Sequence, residues 1–106
     1  MLAGNLFSTV LYDAQQSGTA VAAINILNDL TARAVVKAAE NAFRPVILQP
    51  SAGTVKRYGA ASFARLVGSV RAESSIPVVL HLDHCRDETQ VHVRGCWVVD
   101  LVLGKE

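Results

Sequence analysis

Apolar positions along the chain change their spacing several times, and these changes divide it into short alternating segments. Residues 6, 10, 11 and 14 are apolar at helical spacing, with Asn5 suited to cap that helix and Gly18 to end it. Residues 19–24 follow as a short apolar run with no helical stripe, and it ends at Asn25. Such a run predicts a buried strand.

The same alternation continues through residue 82. A second helix is predicted to begin at Asn28 or Asp29 and to end before Pro45, and its predicted apolar stripe is Leu30, Ala34, Val35, Ala38, Ala39 and Ala42. Residues 46–48 then predict a buried strand, and residues 50–53 a loop. A third helical stripe follows at Phe63, Leu66, Val67 and Val70. Residues 77–82 form the clearest strand pattern of the chain.

Helices that alternate with continuously apolar strands are typical of an α/β fold, in which helices cover a parallel sheet. Two architectures fit this pattern. One is an open doubly wound sheet, and the other is part of a (β/α)8 barrel, which needs roughly 250 residues when complete. The period of the sequence does not choose between them.

Composition narrows the classes of function. The 106 residues suit one small domain, and 51% are hydrophobic, which is ample for a core. The net charge is +1 without a block of basic residues, so neither nucleic acid nor an anionic membrane surface is an expected partner. Two cysteines, no signal-peptide pattern and no apolar stretch of about 20 residues predict a cytoplasmic protein with free thiols.

Polar residues occur where each predicted strand ends, which is where parallel sheets carry their chemistry. They are Asn25, Ser51 and the group His81, Asp83 and His84. Imidazole suits zinc, and a carboxylate between two imidazoles can exchange protons or orient a metal ligand. A Ser followed by small residues can cradle a phosphate. The structural alternatives are an interior histidine, a loop start, a capping Ser51 and an Asn25 that satisfies backbone.

Three segments together resemble the class II, zinc-dependent ketose-bisphosphate aldolases. Residues 20–28 read AVAAINILN, residues 45–59 read PVILQPSAGTVKRYG, and residues 77–85 read PVVLHLDHC. The order and spacing of these segments are similar to those of fructose- and tagatose-bisphosphate aldolases, over roughly residues 5–92. The resemblance implies the N-terminal part of a (β/α)8 barrel, about three to four βα units.

The resemblance also implies roles for single residues. Asp83 would be the acid/base that exchanges a proton with the aldehyde oxygen or the C4 hydroxyl, and His84 would be a ligand of Zn²⁺. Ser51 would contact the phosphate-bearing aldehyde half of a phosphorylated sugar substrate, and Asn25 would line the substrate pocket. The family also suggests a homo-oligomer.

The carboxyl-terminal part departs from the family pattern. Residues 93–106 do not match it, and the family's remaining zinc ligands, a further acidic catalytic group and a Gly-rich phosphate loop come from later units. We therefore expect residues 1–106 to form a single incomplete barrel domain that is inactive alone. The alternative function is that of a non-catalytic α/β fragment that binds a phosphorylated ligand or a partner.

Overall fold

The computed structural model of the chain describes residues 6–82 and, for one further strand, the backbone of residues 101 and 102. Helices and strands alternate along it in the predicted order, with one additional short helix. The elements are α1 (Leu6–Ser17), β1 (Ala22–Ile24), α2 (Asp29–Ala42), β2 (Val46–Leu48), α3 (Ala52–Tyr58), α4 (Ala60–Glu73), β3 (Val78–Leu82) and β4 (Leu101–Val102).

The strands form one parallel sheet in the order β1-β2-β3-β4. Ile24 is in register with Leu48, and Leu48 with Leu80. At the other side of β3, His81 is in register with Leu101. The predicted α/β fold with a helix-covered parallel sheet is thereby confirmed.

Side chains of β2 and β3 are buried on both faces of the sheet, because successive residues of a strand point to opposite sides. On one face, Leu48 and Leu80 pack in a cluster with residues of α2 and α4 such as Val36 and Phe63. On the other face, Ile47 and Val79 pack with Val10, and the partly buried Leu6, Phe7 and Val21 join them. Burial on both faces explains why these strands are apolar without interruption.

Helix α2 begins and ends with defined capping interactions. The Asn28 side chain accepts a hydrogen bond from the Thr31 backbone N–H, and the Thr31 hydroxyl accepts one from the Asn28 backbone, which completes a capping box. At the other end Phe43 adopts a left-handed conformation, and its N–H donates to the carbonyls of the last helical turn. The predicted start at Asn28 or Asp29 is confirmed.

Three predictions of local structure are wrong in part. In α2 the buried residues are Ala32 and Val36, while Leu30 is 74% exposed, so the predicted stripe is displaced around the helix. An alanine-rich helix offers more than one weakly apolar face, and packing against the sheet decides which one is buried. Residues 22–24 are a strand, but an exposed one. Residues 52 and 53 belong to α3 rather than to a loop.

The helices of the described part are short. The longest, α2 and α4, have 14 residues each, whereas a membrane-spanning helix needs about 20. None of the helices within residues 6–82 is long and apolar enough to cross a membrane.

Candidate active site at the carboxyl ends of the strands

Three polar side chains form a row across the carboxyl ends of β1, β2 and β3. Asn25 directly follows β1, Gln49 directly follows β2, and His81 is the fourth residue of β3. Ile24, Leu48 and Leu80 are in register with one another, and each of the three polar residues directly follows one of them. The parallel register therefore brings residues that are far apart in sequence to the same level of the sheet.

Hydrogen bonds join the three side chains of this polar row. Gln49 Nε2 donates to Asn25 Oδ1 over 3.1 Å. Gln49 Oε1 lies 2.8 Å from His81 Nδ1. Because an amide oxygen only accepts, Nδ1 of His81 carries the proton in this arrangement. The Gln49 backbone N–H also donates to the Ile24 carbonyl over 3.0 Å, which extends the β1–β2 ladder and fixes where the Gln49 side chain starts.

Of the two ring nitrogens of His81, Nδ1 is hydrogen-bonded and Nε2 is not, within the described residues. It is 7% exposed, and its ring meets that of Phe7 in α1 edge to face, with centroids 6.3 Å apart and planes at 84°. Its Nε2 atom is buried and has no hydrogen-bond partner among the residues that the structure describes. A buried polar atom without a partner costs about 1–3 kcal/mol and calls for an explanation. The interpretation of His81 as an ordinary interior histidine accounts for Nδ1 and not for Nε2.

Ser51 serves a different purpose in the described structure. It is the N-cap of α3, its hydroxyl oxygen accepts a hydrogen bond from the Thr54 backbone N–H over 3.1 Å, and the two hydroxyls lie 3.1 Å apart. The capping alternative is thus present in the structure. Asn25, by contrast, is exposed and belongs to the polar row. Of the predicted site residues, Asn25, Ser51 and His81 have described positions.

Asp83 and His84 lie outside the described residues, directly after Leu82 in the sequence. Within the described ranges, no group of three or more His, Cys, Asp or Glu side chains is placed to hold a metal ion. The unpartnered Nε2 of His81 is nevertheless the type of atom that zinc accepts as a ligand. Within the described residues, the carboxyl edge of the sheet thus offers one imidazole nitrogen of the kind that zinc binds.

Gln49 is the residue of this site that sequence reasoning missed. Its signal was available, because Gln49 is the first polar residue after the apolar run of residues 46–48. The parallel sheet was predicted as well, and it places the residue after each strand at the same edge. What the sequence did not supply was the register, which decides that Gln49 lies between Asn25 and His81.

Comparison with known proteins gives the family of the chain. Residues 5–96 match the sequence family described as class-II fructose-bisphosphate aldolase. A fructose-bisphosphate aldolase of Thermus caldophilus is 39% identical over 75 residues, which are 71% of this chain and 24% of the relative. A sulfofructosephosphate aldolase of Alkalicoccus urumqiensis is 30% identical over 79 residues, 74% of this chain and 28% of that relative. The chain spans about a quarter of the length of these relatives.

A solved structure shares the fold of the chain. The crystal structure of the YdjI aldolase from Escherichia coli K12 superposes with a TM-score of 0.71 and 30% sequence identity, over 87% of this chain and 35% of that one. The matched family and the shared sheet agree with the resemblance that residues 20–28, 45–59 and 77–85 indicate. The chain belongs to the class-II fructose-bisphosphate aldolase family.

Proposed function

We propose that the protein to which this chain belongs is a zinc-dependent aldolase that reversibly cleaves a ketose bisphosphate. Fructose or tagatose bisphosphate would give dihydroxyacetone phosphate and glyceraldehyde 3-phosphate. The observation that carries the proposal is the polar row of Asn25, Gln49 and His81 at the carboxyl ends of three parallel strands, the edge where such sheets hold their active sites. Membership of the aldolase family supports it.

Each predicted site residue has a role in this proposal. Asp83 removes the proton of the C4 hydroxyl, the C3–C4 bond breaks as the C4 carbonyl forms, and the electron pair passes to an enediolate. In the synthetic direction Asp83 returns the proton to the aldehyde oxygen. Asn25 lines the substrate pocket, and Ser51 contacts the phosphate of the aldehyde half through its hydroxyl and the start of α3.

Zinc would be held by His84 together with ligands from beyond the described residues. When bound, the ion supplies Lewis-acid stabilisation of the negative charge that develops beside the ketone. Two observations support a zinc ion at this edge of the sheet. Imidazole nitrogen is a common zinc ligand, and the buried His81 Nε2 has no partner among the described residues. Because the matched part of this chain covers only 24% and 28% of the two relatives, we expect the 106-residue chain alone to cleave neither sugar.

The experiment that tests the proposal assays the longest reading frame containing this sequence for cleavage of both bisphosphates, beside the 106-residue chain. We expect activity in the longer protein, stoichiometric zinc, loss of activity after dialysis against a chelator and recovery with added zinc. Asp83→Asn is expected to lower kcat by about 100- to 10,000-fold without loss of zinc. His84→Gln is expected to lower the zinc content.

A matched control is Asp13→Asn, which makes the same chemical change on the exposed surface of α1. It is expected to leave kcat and zinc content unchanged. A longer protein that retains no zinc and cleaves neither sugar contradicts the proposal, and the non-catalytic alternative, binding of a phosphorylated ligand or a partner, then becomes the better account.

A further inference from the structure

Gln49 is the central member of the polar row and the side chain that touches both others. Its amide group has two different ends, a nitrogen that donates and an oxygen that accepts. The nitrogen donates to Asn25 and the oxygen accepts from His81. Gln49 itself is half-buried, between the exposed Asn25 and the buried His81. The bond to the Ile24 carbonyl anchors its backbone, so both contacts start from a fixed point.

We propose that Gln49 is a positioning residue: its amide locks His81 in the Nδ1–H tautomer and holds the Asn25 side chain in line with it. The first half concerns the imidazole alone. Which nitrogen of a neutral imidazole carries the proton is set by the hydrogen bond that the other nitrogen makes. With Gln49 Oε1 as the acceptor at Nδ1, the lone pair remains on Nε2.

The lone pair on Nε2 determines which chemical groups of a ligand can bind to His81. Nε2 is buried and has no partner within residues 6–82, so a group that satisfies it must donate a hydrogen bond or accept the lone pair. A sugar hydroxyl is such a donor. Without the Gln49 oxygen, the proton could move to Nε2, and His81 would then offer a donor where the site has an acceptor. Gln49 thereby decides which chemistry His81 presents.

The second half of the proposal concerns Asn25 and rests on the proposed function. Asn25 is exposed, so little packing restricts its rotamers, and within the described residues the hydrogen bond from Gln49 Nε2 aligns its amide. That bond occupies the Asn25 oxygen and leaves the Asn25 nitrogen to donate to a substrate oxygen. Loss of the bond frees the side chain, and substrate binding must then order it again.

The tautomer of His81 can be measured directly by NMR of the ring nitrogens. The 106-residue chain contains His81, His84 and His92, and the three rings are assigned by removing His92 and then His84 by substitution. Spectra are recorded with ¹⁵N-labelled protein near pH 8 and with a chelator, so that no metal competes for nitrogen. In the unaltered chain we expect a protonated Nδ1 and an unprotonated Nε2 on His81.

Two variants separate the two hydrogen bonds of Gln49. Gln49→Met keeps the length of the side chain and removes both polar ends, so we expect His81 to lose its Nδ1–H signal in favour of Nε2–H. Gln49→Glu keeps an acceptor for Nδ1 and removes the donor to Asn25, so we expect the Nδ1–H signal to remain. Gln16→Met is the matched control on the exposed surface of α1, and it is expected to leave the spectrum of His81 unchanged.

The proposal is overturned if the unaltered chain has His81 protonated at Nε2 alone, a result that needs no variant to fold. It is also overturned if folded Gln49→Met retains the Nδ1–H tautomer. In a longer protein that cleaves a ketose bisphosphate, Gln49→Met and Gln49→Glu are both expected to lower kcat/KM by roughly 10- to 100-fold, with a raised KM. Absence of cleavage in the unaltered protein counts against the proposed function, while the tautomer still decides the role of Gln49.

Discussion

At the residue scale, Phe43 holds the most costly backbone conformation of the described chain. It has φ 56° and ψ 43° at the end of α2, and it is the non-glycine residue with a positive φ within the described ranges. A side chain with a β-carbon pays about 1–2 kcal/mol for this conformation. The ring contributes little packing energy to offset this cost, because the residue is 86% exposed.

Replacing Phe43 by glycine is therefore expected to stabilise the fold. Glycine relieves the steric cost but loses more backbone entropy on folding, so we expect a net gain of about 0.5–1 kcal/mol in the free energy of unfolding. Urea denaturation followed by circular dichroism measures it. Phe43→Ala is the matched control, since it removes the ring and keeps the β-carbon. Equal stability of the glycine and alanine variants would contradict the steric explanation.

At the element scale, the start of α3 combines a structural role with a proposed binding role. Ser51 caps this seven-residue helix through the Thr54 N–H, and in the proposed function it also contacts a phosphate. A single substitution by alanine removes the cap and the ligand contact together. To separate the two roles, Ser51 must be replaced by a residue that caps the helix as well as serine does but repels a phosphate.

Aspartate meets both requirements, because it is a good N-cap and carries a negative charge. Ser51→Ala is expected to lower the free energy of unfolding by about 1 kcal/mol. Ser51→Asp is expected to keep native stability and to raise KM for a ketose bisphosphate through repulsion of the phosphate. Denaturation curves and steady-state kinetics of the longer protein measure these effects. Asn28→Asp, a similar change at the cap of α2, controls for added charge.

The elements that the sequence predicted well are those with strong boundaries. Pro45 and Pro77 directly precede the β2 and β3 segments, and the spacing of Phe63, Leu66, Val67 and Val70 matches the buried face of α4. The weaker predictions came from alanine and glycine, whose small side chains leave the period undefined. For α2 this allowed the wrong stripe, and for α3 it concealed a short helix behind residues typical of a loop.

The positions of the site residues could be predicted only as well as the ends of the strands. Asn25 was placed correctly at the end of β1, and Ser51 correctly after β2, because polar residues interrupt the apolar runs there. The hydrogen bonds of Gln49 were beyond sequence reasoning, since they depend on register and on rotamers across three strands. The roles of Asp83 and His84 remain predictions.

At the scale of the whole molecule, β1 lies at one side of the sheet and pairs within the described chain with β2 alone. All three of its residues are exposed, and Ile24 is 40% exposed. Nearby in sequence, Leu27 and Leu30 are 67% and 74% exposed. An exposed strand edge beside apolar side chains favours pairing with another chain.

We expect the 106-residue chain to self-associate through this edge, and Ile24→Lys to reduce the association because a charged side chain on an edge strand opposes pairing. Sedimentation velocity at several protein concentrations measures the effect. Ala38→Lys places the same charge on the exposed face of α2 and is the matched control. If both variants change the association equally, net charge rather than the β1 edge is responsible.

The edge-to-face contact between Phe7 and His81 joins the first turn of α1 to the polar row. Any treatment that loosens this turn also removes the Phe7 ring against which the imidazole packs. A purification tag fused ahead of residue 6, or cleavage within α1, would therefore act on the tilt of a ring 74 positions further along the chain. A tag added at the opposite terminus would leave the packing of Phe7 against His81 intact.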